Sequence, residues 1–248
     1  MQLVALADPT PRLAARRLTL PAPELHVVSI YRRRNAATLL ELLESALRCG
    51  SAVSLWALDQ VAPSLARWTA GSGPGTRFAL ANRLLADRPP SWCVVADDDV
   101  RFRHGDVVRL VRFAQALGLD IAQPAHALGS HVSHSFTRRA PFRVARRTSF
   151  VEIGPVVVFG PLALPHVLPL PEEGMGWGTE AAWAQLGERE GLRLGIVDAV
   201  TIRHLQPPGG GYAAEAEREA ALARLQAAGK QGWGDLQRTH GRLGLRRL

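Results

Sequence analysis

Residues Ser91 to Phe102 read SWCVVADDDVRF, and this stretch decides the fold. Five consecutive residues, Trp92 to Ala96, are apolar or small, and three aspartates follow them directly. Such a run is typical of a strand that is buried on both faces of a parallel sheet. Ligands of open α/β sheets bind beyond the carboxyl ends of the strands, which is where Asp97, Asp98 and Asp99 stand.

The aspartates themselves suggest a cation site. Side chains alternate along an extended chain, so Asp97 and Asp99 are expected on one side and Asp98 on the other. Two adjacent carboxylates resist ionisation unless a cation lies between them, and oxygen ligands suit Mg²⁺ or Mn²⁺. A solvated acidic turn is the structural alternative.

The chain before this strand predicts a parallel β-α-β unit. A strand from Leu25 to Tyr31 is followed by a basic loop, 32–35, then a helix over 36–49 and a strand over 52–58 that Asp59 follows. Such units are right-handed. The basic loop after the first strand suits a nucleotide phosphate or base, and a solvated run of charge is an equal alternative.

A glycine-rich stretch, 71–75, precedes a predicted helix from Arg77 to Leu85. Its glycines permit close approach of backbone N–H groups to a ligand. The stretch is not an ATPase-type phosphate-binding loop, because the Lys-Ser or Lys-Thr pair is missing. A flexible connector is the preferred interpretation of these residues taken alone.

Downstream, a helix over 105–117 and a strand over 119–125 are predicted, followed by a long polar stretch, 126–147. Its three histidines fit no zinc spacing and are interpreted as loop residues, with the arginines from Arg138 to Arg147 as diphosphate contacts. The apolar run 148–159 predicts one strand. Glu152 lies inside this run, where an acid is costly unless it is paired or used.

The last predicted elements bring two more candidates. Gly176 and Gly178 flank Trp177 in a turn expected to present an aromatic face, and Glu180 begins the helix that continues to Glu190. A carboxylate at a helix start is ordinarily a complement to the helix dipole. His204 ends the strand over 194–205, either as a satisfied polar group or as a third metal ligand.

Composition bounds the classes of function. The 248 residues carry a formal charge of +8 with Lys230 as the only lysine, which favours phosphate-bearing partners. Aromatic residues make up 6% and do not alternate with arginine, so a nucleic-acid partner is not expected. Cys49 and Cys93 are interpreted as core residues of a reducing compartment. With no apolar leader or membrane segment in the sequence, a cytoplasmic protein is expected.

Three parts are predicted along the chain: a leader over 1–24, a catalytic region over 25–212, and a charged helix with a basic tail over 213–248. The tail is interpreted as a solvated face, with a peripheral membrane contact as the alternative.

In this order, the motifs resemble those of glycosyltransferases of the GT-A fold. The basic loop after the first strand resembles the nucleotide-binding start of that fold. Asp97-Asp98-Asp99 resembles its Asp-any-Asp motif, and Gly176 to Glu180 resembles the Gly-Trp-Gly-any-acid segment of several inverting transferases. His204 matches a late histidine of many members. A closer likeness is to an uncharacterised plant and bacterial family of unknown function, which shares the acidic triplet, the Gly-Trp-Gly turn and the late histidine.

The resemblance implies one α/β, Rossmann-like domain with a mixed, mostly parallel sheet flanked by helices. It implies a metal-dependent transfer of a sugar from a nucleotide-diphosphate sugar to a hydroxyl of a saccharide or other acceptor. By resemblance, the catalytic base is Glu180, the ligands of Mn²⁺ or Mg²⁺ are Asp97, Asp99 and His204, the donor contacts are Arg32, Asn35, Asp59, Arg77, Asn82 and Asp98, and the acceptor or sugar contacts are Glu152, Trp177 and Gly178. A metal-dependent phosphohydrolase or pyrophosphatase, and an inactive sugar-nucleotide-binding relative, are the alternatives.

Overall fold

The computed structural model describes residues 8–86, 91–207 and 214–248. Its ten strands join in one sheet, so the predicted α/β class is confirmed. In chain order the strands are β1 Leu25–Tyr31, β2 Ala52–Ala57, β3 Thr69–Ser72, β4 Trp92–Asp97, β5 Val100–His104, β6 Ile121–His126, β7 Ala145–Thr148, β8 Val156–Phe159, β9 Leu194–His204 and β10 Thr239–Leu243. Across the sheet the order is β10-β7-β9-β6-β8-β4-β1-β2-β3, and β5 pairs with β9.

Helices cover both faces of the sheet. They are α1 Thr10–Arg17, α2 Ala36–Arg48, α3 Arg77–Leu85, α4 Val107–Leu117, α5 Leu164–Val167, α6 Thr179–Glu190 and α7 Ala214–Ala227. Residues of α1, α2 and α4 belong to one hydrophobic core, and residues of α3, α5 and α6 belong to a second. Within the described ranges, no helix has both the length and the apolar character needed to cross a membrane.

The sheet is mixed and mostly parallel, as predicted. Strands β1, β2, β3, β4, β6, β9 and β10 run in one direction, whereas β5, β7 and β8 run in the other. The order of strands reverses between β1 and β4, because the chain leaves β1 for β2 on one side and returns to β4 on the other. This topological switch point is where open α/β sheets bind ligands.

The predicted strand of the acidic stretch is confirmed as β4, at the centre of the sheet. Its side chains alternate between the two cores: Val94 and Ala96 lie in the core of α2, and Cys93 and Val95 lie in the core of α3. All of these side chains are fully or almost fully buried. Because apolar layers cover both faces, the chain can carry acidic side chains only where the strand leaves the sheet.

The strand β9 pairs with three other strands. Its first residues pair in parallel with β6 and antiparallel with β7, and its last residues pair antiparallel with β5. The register with β6 shifts between Val197 and Thr201. Asp198 lies in this shift and is fully buried, where it forms an ion pair with Arg146 at 3.0 Å. Beyond this shift, the last residue of β9, His204, is the register partner of the first residue of β5, Val100.

The single strand predicted over 148–159 is wrong. Thr148 is the last residue of β7 and pairs with β9, whereas β8 begins only at Val156 and pairs with β4 and β6. Between them, the N–H of Glu152 donates to the side chain of Gln123, and Pro155 has no N–H to offer a sheet. The intervening chain therefore passes the carboxyl end of β4 at Asp97, whose N–H donates to the carbonyl of Pro155.

Three other expectations need correction. The helix expected from Gly105 begins at Val107, with Asp106 as its N-cap, because the preceding residues form β5. The C-terminal tail is not wholly solvated, since it contains β10, which pairs with β7. Cys49 is exposed and so is not a core residue, whereas Cys93 is buried as expected.

The predicted division into leader, catalytic region and tail stays a prediction. Within the described part of the leader, α1 packs against β9, and Ala14 and Leu18 lie in the core. Residues 1–7 and the boundary near 208–213, including the glycines after Pro208, lie outside the described residues.

Candidate active site

The candidate site lies at the switch point, where the carboxyl ends of β1 and β4 are neighbours. Ile30 of β1 is the register partner of Asp97 of β4. Beyond the ends of both strands, the N–H of Arg32 donates to Oδ2 of Asp98 at 2.7 Å. The two loops expected to bind a ligand are therefore joined to each other.

Asp97, Asp99 and His204 lie together at the carboxyl end of β4. One possible ligand atom of each lies within 4.8 Å of the others, and His204 Nε2 is 3.2 Å from Asp99 Oδ1. His204 reaches the aspartates because β5 turns back after Asp99 and pairs with the end of β9. Among the described residues this is the only such cluster of possible metal ligands.

The electrostatics of this triad favour a cation. Burial alone would lower the pKa of His204, but the hydrogen bond to Asp99 and the charges of Asp97, Asp99 and Glu152 outweigh it and raise the pKa. The same negative charges would attract a metal cation, which would displace the imidazole proton on binding to His204. Two carboxylates and an imidazole are donors that Mn²⁺ accepts, so the residues present fit a divalent ion.

Asp98 lies in the turn after β4, where its Oδ2 accepts from the N–H of Arg32. Because β4 ends at Asp97, the alternation expected over the three aspartates stays a prediction. Burial raises the pKa of Asp98 to about 6, hydrogen bonds from the Arg32 N–H and the Asn35 side chain lower it, and the charges of Asp97 and Asp99 raise it further. Asp98 therefore ties the loop after β1 to the acidic loop.

Asp59 and the basic loop are also connected. The carboxylate of Asp59 accepts hydrogen bonds from the N–H groups of Arg33, at 2.9 Å, and Gln60, at 2.7 Å, and these bonds lower its pKa. The structure thus brings four expected donor contacts, from the loops after β1, β2 and β4, to one side of the site; their role in donor binding stays a prediction.

Arg77 begins α3 and holds the acidic loop. Its Nε is 2.7 Å from Asp97 Oδ1, and its Nη1 donates to the carbonyl of Ile153 at 2.5 Å. Its Nη2 is buried and has no hydrogen-bond partner among the described residues. A Cβ on Gly154 would stand 3.3 Å from Asp97 and 3.5 Å from Arg77 Nη2, so a larger residue would crowd this corner.

Asn82 has a different environment from the other expected donor contacts. Its amide donates to the carbonyl of Leu170 at 2.8 Å and to Glu172 at 2.9 Å, and it accepts from the N–H of Leu170 at 2.8 Å. These bonds hold the segment before the Gly-Trp-Gly turn. Any contact of Asn82 with a donor stays a prediction.

Glu180 is buried at the start of α6, with 4% of its surface exposed. Burial raises its pKa to about 7, against the lowering effect of nearby backbone amides, and the charge of Glu152 raises it further. Its Oε2 has no hydrogen-bond partner within the described residues. Gly178 precedes it at φ +87°, a conformation that other residues rarely adopt.

Glu152 lies within electrostatic range of Glu180 and is equally buried. Its Oε2 is 3.2 Å from His126 Nε2, and its Oε1 has no hydrogen-bond partner in the described ranges. His126 Nδ1 is 2.8 Å from the Ser130 hydroxyl, which also accepts from the N–H of His204 at 2.9 Å. One polar network therefore joins Glu152 to the strand end that carries the metal candidate His204.

The interpretation of the long polar stretch is wrong in part. His126 is not a loop histidine: it ends β6 and is 1% exposed. Arg146 is buried against Asp198, so it is not a free diphosphate contact, and Arg139 pairs with Asp8. The signal that could have identified His126 is its position, because it ends a buried strand as Asp97 does.

Trp177 is partly buried, not fully exposed as expected. Its ring packs against the core of α3 and α6, and its carbonyl accepts from Arg224 Nη1 at 2.6 Å. Its contact with a sugar stays a prediction.

Comparison with known proteins supports the fold. No protein-family model matches the chain, and no curated protein matches it in sequence. Among solved structures, the chain is similar to GalNAc-T7 with UDP, GalNAc and Mn²⁺, with a TM-score of 0.54, 9% identity and 87% of the chain covered. It is also similar to S. aureus TarS 1-349 with UDP, with a TM-score of 0.53, 12% identity and 83% covered, and with UDP-GlcNAc, with a TM-score of 0.51 and 13% identity.

These neighbours are glycosyltransferases of the GT-A type, and the chain shares their fold. The chain spans 50% of the GalNAc-T7 chain and 65% of the TarS chains. At these identities the likeness concerns the fold alone, and function must be argued from the site.

Proposed function

We propose that the protein is a metal-dependent glycosyltransferase that moves a sugar from a nucleotide-diphosphate sugar to a hydroxyl of an acceptor. One observation carries the proposal: at the switch point of a GT-A fold, the triad of Asp97, Asp99 and His204 is joined by a polar network to the buried Glu152. Glu180, whose pKa burial raises to about 7, lies within electrostatic range of Glu152. Support for the donor class comes from the neighbours solved with UDP, UDP-GlcNAc and GalNAc.

The triad would hold Mn²⁺ or Mg²⁺. When bound there, the ion would neutralise charge that develops on the leaving nucleotide diphosphate. Arg77 keeps Asp97 in place for that ligand set through its 2.7 Å ion pair. The loop residues Arg32, Asn35, Asp59 and Asp98 are proposed to contact the nucleotide.

Glu180 is proposed as the base. Because its pKa is about 7, a substantial fraction of Glu180 is ionised at neutral pH. The resulting carboxylate accepts a proton more readily than a carboxylate with an ordinary pKa does. It takes the proton of the acceptor hydroxyl while that oxygen attacks the anomeric carbon. The bond from that carbon to the diphosphate oxygen breaks, so a single displacement inverts the configuration.

Glu152 is the second candidate for the base or for a contact with a sugar hydroxyl, and Trp177 and Gly178 are proposed to lie beside the acceptor or sugar. The acceptor is proposed to be a saccharide or another hydroxyl-bearing molecule, and no nucleic-acid partner is expected. The cytoplasmic location and the membrane contact of the C-terminal tail stay predictions.

The donor is tested by thermal unfolding with a panel of sugar nucleotides in Mn²⁺, in Mg²⁺ and in chelator. A ligand at about one hundred times its dissociation constant adds ~2.7 kcal/mol of stability by mass action. We expect a metal-dependent shift with one nucleotide and its loss in Asp99→Ala. If no nucleotide shifts the unfolding temperature under any metal condition, the donor assignment is wrong.

Turnover assays distinguish the roles of the acids and the reaction class. Glu180→Gln is expected to abolish sugar transfer and keep donor binding. Full turnover in Glu180→Gln with loss in Glu152→Gln would move the base to Glu152. Nucleotide release without an acceptor would indicate a hydrolase, and metal-dependent binding without any turnover would indicate an inactive relative.

A further inference from the structure

One surface outside the candidate site is strongly basic, and it is centred on the N-terminal helix α1. The helix exposes Arg12, Arg16 and Arg17, and exposed arginines of β5 and of the last turn of the chain, Arg103, Arg246 and Arg247, extend this set. We call these six residues the arginine face.

Contacts at both ends fix α1 in position. Near its start, the Asp8 carboxylate, which is fully covered, accepts from the N–H groups of Thr10 and Phe142 and pairs with Arg139. At its end, Arg17 donates to the carbonyl of Leu245 at 3.0 Å, beside Arg246 and Arg247. The arginines are therefore displayed on an anchored element and not on a loose tail.

His104, at the end of β5, lies within the field of several of these cations. Burial lowers the pKa of His104, and the charges of Arg139, Arg103 and Arg12 lower it further, against a smaller opposite effect of Asp8. These cations thus act on one point of the surface. The Asp8 side chain is 0% exposed and pairs with Arg139, so its charge is balanced by a cation and its carboxylate is not accessible to a partner from solvent.

An exposed aromatic side chain stands at the edge of this face. Phe142 is 59% exposed, and its φ of +58° lies in the left-handed region, which is strained for a residue with a Cβ. The Asp8 carboxylate fixes its backbone N–H at 2.8 Å. Leu13 of α1 is also exposed. The same carboxylate that anchors the basic helix therefore holds an apolar ring outward.

We propose that the arginine face and Phe142 form a docking surface for a membrane that carries anionic lipids. Clustered arginines match anionic headgroups, and an exposed ring beside them can enter the interface between headgroups and acyl chains. A single-stranded nucleic acid would instead favour several aromatic rings interleaved with the arginines, and Phe142 is the only exposed large aromatic side chain in the described ranges. The proposal is independent of the transferase assignment.

Vesicle sedimentation of the full chain tests this surface. Vesicles of phosphatidylcholine alone are compared with vesicles that also contain phosphatidylglycerol, at low and high salt. Binding is expected only with phosphatidylglycerol, and it weakens as salt screens the charges. Because one arginine near an anionic surface changes binding by about fivefold, the double variant Arg12→Gln/Arg16→Gln is expected to bind about 25-fold more weakly.

The apolar anchor is tested by Phe142→Asn, because asparagine tolerates a positive φ and so preserves the loop. A loss of about tenfold is expected from the lost burial of the ring. Matched controls lie on the opposite layer: Leu162→Asn for the exposed apolar residue, and Arg189→Gln/Arg218→Gln for the arginine pair. These variants are expected to bind as the wild type does.

Three outcomes would overturn the proposal. The first is equal binding to neutral vesicles, and the second is unchanged binding of the α1 and Phe142 variants. The third is binding of single-stranded RNA that is as tight as lipid binding and insensitive to Phe142→Asn, since arginine charge alone would then explain both.

Discussion

Replacing Glu180 by glutamine should change how the stability of the protein depends on pH. The folded-state pKa of Glu180 is raised from its usual 4.5 to about 7 because the carboxyl is buried. The folded protein therefore binds this proton more tightly than the unfolded chain does. Stability from this group is complete below about pH 4.5, is lost as pH rises to about 7, and stays lost above that.

The magnitude follows from the pKa. A rise from 4.5 to about 7 corresponds to a loss of about 3 kcal/mol between pH 4.5 and pH 8. Glutamine is similar in shape and cannot ionise, so Glu180→Gln should lack this loss. For a domain of this size the difference corresponds to a change in unfolding temperature of about 6 to 12 °C.

Urea unfolding of the metal-free protein at pH 5 and at pH 8 measures this difference. The free energy of unfolding should fall more steeply with pH in the wild type than in Glu180→Gln, by about 2.5 kcal/mol between pH 5 and pH 8. Glu190→Gln, at the exposed end of the same helix, serves as the control and should behave as the wild type. Equal pH dependence of wild type and Glu180→Gln would refute the reasoning, because Glu180 would then titrate normally.

Three further changes test the packing that positions the site. Gly178→Ala should destabilise the protein and lower turnover, because φ is +87° there and a Cβ would stand 2.9 Å from backbone atoms of Ala221; thermal unfolding and transfer assays check this. Phe159→Ala, at the buried end of β8 beside β4, should lower the free energy of unfolding by about 3 to 5 kcal/mol in urea titration, and a loss below about 1 kcal/mol would contradict the described packing. Arg146→Ala should cost about 3 to 5 kcal/mol by the same measurement, because it leaves the buried Asp198 without its cation, and Arg147→Ala, exposed on the same strand, is its control.

Local pattern was sufficient for much of the fold. The bounds predicted for β1 and α3 agree with the structure, because an uninterrupted apolar run or a clear helical period specifies each element. Pattern failed for the run 148–159, where apolar residues belong to two strands and a crossing between them. Hydrophobicity reports burial but not the partner strand, so the break after Thr148 had no local signal.

The candidate site was likewise predicted only in part from the sequence. Asp97 and Asp99 were predicted to lie on one side and they do lie together, although β4 ends at Asp97 and Asp99 belongs to the turn that follows. His204 was expected beside them from the resemblance. The network from Glu152 through His126 to Ser130 was not predicted. Its contacts join residues from separate parts of the chain, and they depend on the pairing of β6 with β9.

Only the fold shows which buried acids have a cationic partner. The presence or absence of that partner distinguishes the acids of the candidate site from the other buried acids. Asp198 is buried with a raised pKa, but Arg146 lies 3.0 Å away, which is the arrangement of a structural ion pair. Glu180 is buried and Asp98 is partly buried, and both have raised pKa values. The hydrogen bonds that lower these values come from backbone amides and an amide side chain and not from a cation. Burial of such acids costs stability, so a chain retains them chiefly where they serve a ligand or a reaction. Asp98 lies within electrostatic range of Asp97 and Asp99, which belong to the one cluster of possible metal ligands in the described residues. Glu180 lies within electrostatic range of Glu152. The transferase proposal is centred on this part of the molecule for that reason.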